Sequence, residues 1–243
     1  MTGLNKITAM RLLLISNSTN AGEEYLAYPG QAIRDFLGTK KVNAVFVPYA
    51  GVTVSFNDYE AKVRKRFNEI GHDIKSIHHF SDPADAIRNA GAIIIGGGNT
   101  FRLAELLHKN GLVEIIKKSV QEGTPYIGWS AGANVACPTI CTTNDMPVVQ
   151  PESFSSLNLV SFQINPHYLD SNPDGHAGET REMRIKEYTE LNRDVYVAGL
   201  REGSMLLVEG NNIQLTGSKN MRIFKYGLVP VEVGSGDNLD FLV

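Results

Sequence analysis

Short runs of consecutive apolar residues alternate with helical patterns over the first half of the chain. The runs LLLI at 12–15, VNAVFV at 42–47 and AIIIGGG at 92–98 end in turn residues or lead into them. Unbroken apolar runs are typical of strands buried on both faces of a parallel sheet. Between them, residues 57–70 place Tyr59 and further apolar side chains on one helix face. This alternation predicts βαβ units.

The same patterns predict the remaining elements. Helices are expected at 29–37, 82–90, 100–109, 112–122 and 179–191, and longer strands at 74–80, 126–130 and 160–167. Short strands with glycine turns are expected at 195–200, 205–208, 212–216, 221–226 and 228–233. We therefore predict an α/β three-layer sandwich with a mostly parallel sheet, to which the C-terminal strands add an antiparallel edge. One domain is expected over residues 11–243, after an extension of residues 1–10.

Composition excludes several classes of protein. With 42% hydrophobic residues, 20% charged residues and a net charge of -3, the 243-residue chain can bury a core and is not disordered. A pI of about 6.1 with mixed charges disfavours nucleic acid as a partner. No apolar run approaches the roughly 18 residues of a membrane span, and residues 1–10 lack the features of a secretory signal. Because two cysteines are too few for a disulfide framework, we expect a cytoplasmic protein.

A G-x-S-x-G motif lies at the junction of a predicted strand and a helix. The sequence GWSAG covers residues 128–132, with Ser130 at its centre. A sharp strand-to-helix turn pushes the serine hydroxyl out of the sheet, and small neighbours leave room for a substrate. The next backbone N–H, that of Ala131, can stabilise an oxyanion. We interpret Ser130 as a nucleophile; the alternative is a glycine-rich turn that only closes the sheet.

A second glycine-rich loop, GGGNT at 96–100, also joins a strand to a helix. Such a loop can hold a phosphate at a helix N-terminus, but this one lacks the lysine of a P-loop and the spacing of G-x-G-x-x-G. Loops at the carboxyl ends of parallel strands share one crevice. The N–H of Gly98 or Asn99 can therefore supply a second oxyanion donor beside Ser130, a role that we favour over phosphate binding.

A nucleophilic serine needs a base, and the chain has six histidines. His167 ends a predicted strand at the start of a polar loop, which puts it at the same sheet edge as Ser130. His176, in the loop DGHAG, is the alternative. The base needs a carboxylate to fix its tautomer. Asp145 in TTNDMP and Glu202 in LREG both qualify, and the residues alone leave that choice open.

An arginine opens the predicted helix at 179–191. Arg181 is in phase with the apolar residues of that helix, although a cation is unfavourable at a helix N-terminus. We expect an anion to compensate it, either Glu179 or Glu182 or a substrate carboxylate. No metal site is expected, because the acidic and histidine residues between 167 and 179 lie in a loop broken by proline and glycine, without ligand spacing.

Stretches far longer than these motifs resemble the peptidase E family, the α-aspartyl dipeptidases. They are LLLISNST, FVPYAGVT, IIIGGGNTF, YIGWSAGANVACPTI, TTNDMPVV, QINPHY, GHAGETREMRI and GLREG, in order from Leu12 to Gly203. The resemblance implies a flavodoxin-like sandwich related to class I glutamine amidotransferases, with a serine nucleophile and no cofactor. It also implies an enzyme that releases the N-terminal aspartate of Asp-X dipeptides.

The resemblance assigns roles to individual residues. The catalytic residues would be the nucleophile Ser130, the base His167, the oxyanion donors Gly98 and Ala131, and either Asp145 or Glu202 as the third member of the triad. Arg181 corresponds to the arginine that holds the substrate aspartate, and we add Asn99 as a second substrate-binding residue. The chain departs from the family in its first ten residues and at Arg201, where a proline is expected.

Two other functions stay open at this point. One is a related serine hydrolase that acts on β-aspartyl or cyanophycin-like peptides. The other is a flavodoxin-like protein that binds a phosphate or nucleotide through GGGNT. The partner we expect is a small Asp-X peptide, bound by a monomer or homodimer that contacts neither nucleic acid nor membrane.

Overall fold

Strands and helices alternate along the first part of the chain, as the hydrophobic pattern predicts. The computed structural model describes residues 9–172, 174–175 and 177–243. The strands are β1 (Arg11–Ile15), β2 (Asn43–Val47), β3 (Asp73–Ser76), β4 (Ile93–Ile95), β5 (Tyr126–Trp129), β6 (Gln163–Tyr168), β7 (Val197–Arg201), β8 (Ser204–Glu209), β9 (Asn212–Gly217), β10 (Met221–Phe224) and β11 (Val231–Val233). The helices are α1 (Gly30–Leu37), α2 (Phe56–Glu69), α3 (Pro83–Arg88), α4 (Thr100–Lys109), α5 (Val113–Gln121), α6 (Ala131–Asn134) and α7 (Arg181–Leu191). None of these helices is long and apolar enough to cross a membrane.

A seven-stranded sheet in the order β3-β2-β4-β5-β1-β8-β9 forms the centre of the fold. The strands from β3 to β1 pair in parallel, and β8 and β9 add an antiparallel edge. Alternate side chains of β1 point to opposite faces of the sheet and belong to two apolar clusters. Leu12 and Leu14 belong to one cluster, and Leu13 and Ile15 belong to the other. Because both faces are covered, the central strands β4 and β5 are buried along their whole length, whereas the edge strand β3 carries the polar residues Asp73 and Lys75. The predicted α/β class with a mostly parallel sheet and an antiparallel C-terminal edge is confirmed.

The prediction that all C-terminal strands extend this sheet is wrong. Strands β6, β7, β10 and β11 form a second sheet in the order β11-β10-β7-β6. The main sheet ends at β9, and the next strand, β10, pairs with β7 instead of with β9. The predicted strand at 74–80 is also too long, because β3 ends at Ser76 and Ile77–His79 form a 3₁₀ turn.

One hydroxyl connects the two sheets close to the predicted site. Ser16, directly after β1, donates from Oγ to the carbonyl oxygen of Leu200 in β7 at 2.7 Å. The same Oγ accepts the backbone N–H of His167 in β6 at 3.0 Å. The carboxyl end of β1 in the main sheet therefore lies beside those of β6 and β7 in the second sheet. Residues 1–8 of the predicted extension lie outside the described residues.

Candidate active site

Ser130 occupies a strained turn between β5 and α6. Its backbone has φ 53° and ψ -113°, a conformation that costs a non-glycine residue on the order of 1–3 kcal/mol. The turn is held by a hydrogen bond from the Ser130 N–H to the carbonyl oxygen of Ile15 at 3.0 Å. This is the sharp strand-to-helix turn that a G-x-S-x-G motif predicts.

The two glycines of the motif are required because backbone approaches them closely. A Cβ on Gly132 would lie 2.1 Å from the carbonyl oxygen of Ile95 in β4. A Cβ on Gly128 would lie 2.2 Å from the carbonyl oxygen of Gly132. The turn is thus folded tightly upon itself and against the neighbouring strand, which fixes the direction of the serine side chain.

We expect Gly132→Ala to destabilise the protein by about 3 kcal/mol, because rigid backbone cannot yield to the added methyl group. Denaturant unfolding measures this loss. Gly30→Ala is the control: its Cβ would meet only Ile70 Cγ2, at 3.8 Å, so its unfolding free energy should change by less than about 1 kcal/mol. Equal stabilities of the two variants would contradict the close approach at Gly132.

Ser130, His167 and Glu202 form a continuous hydrogen-bonded chain. His167 Nε2 lies 2.9 Å from Ser130 Oγ, and His167 Nδ1 lies 2.7 Å from Glu202 Oε1. A neutral imidazole that donates from Nδ1 to the carboxylate presents Nε2 as an acceptor for the serine proton. Such an arrangement can perform nucleophilic catalysis with a general base.

A β-bulge directs His167 towards the serine. Pro166 pairs with Leu200 and Tyr168 with Arg201, so the register between β6 and β7 shifts across His167. The histidine has φ 53°, which turns it out of the regular alternation of the strand. The sequence predicted a position at the strand end but not this bulge. The alternative base, His176, lies outside the described residues.

Asp145 has different partners from Glu202. Its Oδ2 accepts the Thr100 N–H at 2.7 Å, the Thr100 hydroxyl at 2.6 Å and the Thr143 hydroxyl at 3.1 Å. The carboxylate therefore lies at the N-terminus of α4, where the helix dipole favours a negative charge. Because this carboxylate occupies the position that an anion would take, the GGGNT loop is poorly suited to hold a phosphate.

The turn that carries Glu202 is held on both sides. The N–H of Gly203 donates to Asn17 Oδ1 at 2.9 Å. Arg201, which stands where a proline was expected, donates from Nε to Asp170 at 2.8 Å and from Nη1 to Glu232 at 2.8 Å. These two carboxylates raise the pKa of Arg201. Arg201 therefore connects the end of β7 to β11 of the same sheet and to the segment after β6, and leaves Glu202 directed at His167.

The glycine-rich loop after β4 packs directly against the serine. A Cβ on Gly97 would lie 2.9 Å from Ser130 Cβ, and a Cβ on Gly98 would lie 2.3 Å from the carbonyl oxygen of Ala50. Gly98 also has φ 132°, which side-chain-bearing residues rarely adopt. Among the described residues, the N–H groups of Gly98 and Ala131 have no hydrogen-bond acceptor. Both amides are therefore available to an oxyanion.

The backbone N–H and the side-chain amide of Asn99 already form hydrogen bonds within the protein. Its backbone N–H donates to the carbonyl oxygen of Ala50 at 2.8 Å. Its side chain donates to the carbonyl oxygen of Met146 at 2.8 Å and accepts the N–H of Arg102 at 3.1 Å, as the N-cap of α4. Of the two amides considered for the oxyanion hole, that of Gly98 is the free one. Asn99 holds the Asp145 segment in place.

Sequence reasoning missed Tyr59, which it assigned to the apolar face of a helix. The Tyr59 hydroxyl donates to the carbonyl oxygen of Gly97 at 2.9 Å and accepts the indole N–H of Trp129 at 3.2 Å. Burial raises the pKa of Tyr59 to about 12. Tyr59 thus fixes the glycine loop relative to the residue that precedes Ser130. The only signal in the sequence is a hydroxyl on an otherwise apolar helix face.

Arg181 opens α7 and is half-buried. Neither glutamate considered as its partner pairs with it: Glu179 pairs with Arg184 at 3.8 Å, and Glu182 with Lys186 at 2.7 Å. Over the described parts of the chain, no carboxylate forms an ion pair with Arg181. Burial and the charge of Arg184 lower the pKa of Arg181, while Asp145 acts in the opposite direction. A guanidinium in this position can bind an incoming carboxylate.

One group of described residues has the arrangement of possible metal ligands, namely Glu60, His78 and His79. Glu60 already accepts three hydrogen bonds, from His79 Nε2 at 2.7 Å, from Arg64 Nη2 at 2.8 Å and from the N–H of Ser76 at 2.7 Å. The adjacent guanidinium is unfavourable for a second cation. Hydrogen bonding explains this cluster without a metal ion.

Comparison with known proteins connects this geometry to a family. A family model, peptidase family S51, matches residues 12–216. Peptidase E of Nostoc sp. is 52% identical over 233 residues, 96% of either chain. Peptidase E of Streptomyces coelicolor is 46% identical over 235 residues, 96% of this chain and 95% of that one.

Solved structures share the fold at lower identity. A peptidase from an acI-B1 Actinobacterium gives a TM-score of 0.71 at 20% identity, over 95% of this chain and 96% of the other. A putative peptidase E protein from Listeria monocytogenes gives a TM-score of 0.66 at 21% identity, over 87% of this chain and 100% of the other. The resemblance drawn from the sequence motifs is confirmed, and the chain belongs to peptidase family S51.

Proposed function

We propose that this chain is a serine dipeptidase that releases the N-terminal aspartate of Asp-X dipeptides. The observation that carries the proposal is the chain of contacts from Ser130 through His167 to Glu202, at 2.9 and 2.7 Å. The name peptidase E borne by its relatives supports a peptidase. The unpaired guanidinium of Arg181 supports a substrate with an anionic side chain.

The reaction proceeds in two steps. Ser130 Oγ attacks the scissile carbonyl carbon while His167 Nε2 accepts the hydroxyl proton. The resulting oxyanion accepts hydrogen bonds from the N–H groups of Gly98 and Ala131. The C–N bond then breaks, His167 gives the proton to the leaving amine, and an aspartyl ester remains on the serine. Water, deprotonated by His167, hydrolyses the ester, while Glu202 holds the imidazole in the required tautomer.

Arg181 accounts for the selection of aspartate. A guanidinium binds a carboxylate through two parallel charge-assisted hydrogen bonds, which the amide of asparagine cannot reproduce. Glutamate has one more methylene group, which would displace its scissile carbonyl from Ser130. Aspartate therefore has both the side-chain charge and the side-chain length that the proposed site requires.

We expect Arg181→Met to lower kcat/KM for Asp-Leu about 100-fold, because a charge-assisted pair is lost. Arg184→Met is the control, since Arg184 is exposed and pairs with Glu179 at the surface. Steady-state kinetics on Asp-Leu, Asn-Leu, Glu-Leu and the β-aspartyl isomer of Asp-Leu measure both variants. Unchanged kcat/KM for Asp-Leu in Arg181→Met would contradict the role of the arginine. Faster cleavage of the β-aspartyl peptide by the wild type would favour a β-aspartyl hydrolase instead.

A further inference from the structure

A cleft of about 400 Å³ opens beside Ser130 on the side of α2. Its walls come from Tyr25, the loop at 50–54, two residues of α2 and the glycine loop after β4. Among the described residues that line it there is one lysine, Lys62, and no carboxylate. Arg181 is not among the lining residues. The reaction described above uses Ser130, His167 and Gly98, which also line this cleft, but it assigns no role to Lys62 or to the loop at 50–54.

Lys62 is held at the cleft without an ionic partner. Its Nζ lies 4.0 Å from the centroid of the Tyr25 ring, in a cation–π contact. The Tyr25 ring in turn packs edge-on against Trp129, with centroids 6.4 Å apart, and Trp129 directly precedes Ser130. No ion pair of Lys62 occurs over residues 9–172, 174–175 and 177–243. The ammonium group is therefore free to bind an anion close to the nucleophile.

The outer wall of the cleft is apolar and exposed. Val52 is 56% exposed and Val54 is 40% exposed. This loop is fixed to the glycine loop, because the N–H of Asn99 donates to the carbonyl oxygen of Ala50 at 2.8 Å. An apolar side chain of a ligand can cover these valines while an anionic group of the same ligand reaches Lys62.

We propose that this cleft binds the leaving amino acid X, and that Lys62 binds its free α-carboxylate. The inference rests on the proposed Asp-X activity. In a dipeptide the C-terminal carboxylate carbon is only three bonds, or about 4 Å, beyond the scissile carbonyl carbon. A second anion must therefore lie close to the serine, away from the carboxylate that Arg181 binds. The valines then favour apolar X, and Lys62 favours a dipeptide over a longer chain, which lacks a carboxylate at that position.

The test compares Asp-Leu with its C-terminal amide, Asp-Leu-NH₂. In Lys62→Met we expect kcat/KM for Asp-Leu to fall about tenfold, mainly through a higher KM, because the contact is made equally in the ground and transition states. The amide, which has no carboxylate for Lys62 to bind, should be hydrolysed at an unchanged rate. Lys62→Glu should prefer the amide, since like charges repel. Lys65→Met, an exposed lysine of α2 that does not line the cleft, should behave as wild type.

The outcomes separate this subsite from the proposed function. If Lys62→Met loses the same factor of kcat/KM on Asp-Leu and on Asp-Leu-NH₂, the proposal that Lys62 binds the carboxylate is wrong, and the lysine has only a packing role. No loss on either substrate would overturn it as well. Wild-type protein that cleaves neither Asp-Leu nor its amide would overturn the proposed function itself, and the subsite with it. A selective loss on Asp-Leu supports both.

Discussion

Ser130→Ala is expected to lower kcat for Asp-Leu by about a million-fold, to the residual rate that binding and oxyanion stabilisation supply without a nucleophile. The physical reason is that no other hydroxyl in the chain of contacts can accept the acyl group, and His167 Nε2 has Ser130 Oγ as its partner at 2.9 Å. Single-turnover kinetics should also show no acyl-enzyme. Because alanine removes one oxygen at the surface of the cleft, the fold should be retained.

Labelling provides an independent measurement. A serine-directed phosphonate should modify wild-type protein once, at Ser130, and should leave Ser130→Ala unmodified in mass spectrometry. Retention of more than a small fraction of activity in a correctly folded Ser130→Ala would exclude this serine as the nucleophile. Modification at another serine in the wild type would exclude it as well.

Glu202→Gln is expected to lower kcat by up to about 10⁴-fold, because an amide facing His167 Nδ1 favours the wrong tautomer. Asp145→Asn serves as the matched comparison. Asp145 bonds to Thr100 and Thr143 rather than to the histidine, so its loss should destabilise α4 by on the order of 1 kcal/mol and leave kcat largely intact.

Kinetics and denaturant unfolding of the two variants distinguish their roles. A large drop in kcat for Asp145→Asn with near-normal kcat for Glu202→Gln would reverse the assignment. A large drop in both, with unchanged stability, would mean that both carboxylates act on the histidine. The arrangement of contacts around Glu202 leads us to expect neither result.

Local sequence patterns predicted the parts of the site that are local in the chain. Ser130 and Gly98 each lie at the end of an apolar run and before a helix, so an unbroken apolar run followed by a period of 3.6 residues is enough to find them. The pairing of β6 and β7 in a separate sheet depends on which strand edges are free, and this information is not local. For that reason the residues alone could not choose between Asp145 and Glu202.

The details missed by sequence reasoning have the same physical origin. The bulge at His167 arises from a register shift against β7, and Tyr59 acquires its role because Gly97 and Trp129 approach its hydroxyl from other elements. An apolar periodicity identifies the face of a helix that is buried. It does not specify which hydroxyl on that face will donate a hydrogen bond to a backbone carbonyl oxygen of another element. Likewise, only the positions of Glu179 and Glu182 show that neither of them pairs with Arg181.

Ser130 follows a strand of the seven-stranded sheet, whereas His167 lies in the four-stranded sheet, so the proposed nucleophile and its proposed base come from two different sheets. Ser16 Oγ connects the two sheets beside this contact through hydrogen bonds of 2.7 and 3.0 Å. A displacement of about 1 Å along the line from Ser130 Oγ to His167 Nε2 would lengthen that distance from 2.9 Å to about 3.9 Å, beyond the range of direct proton transfer, while every residue stayed folded. We therefore expect that substitutions remote from the cleft can lower the proposed activity by changing the alignment of the two sheets while the protein stays folded.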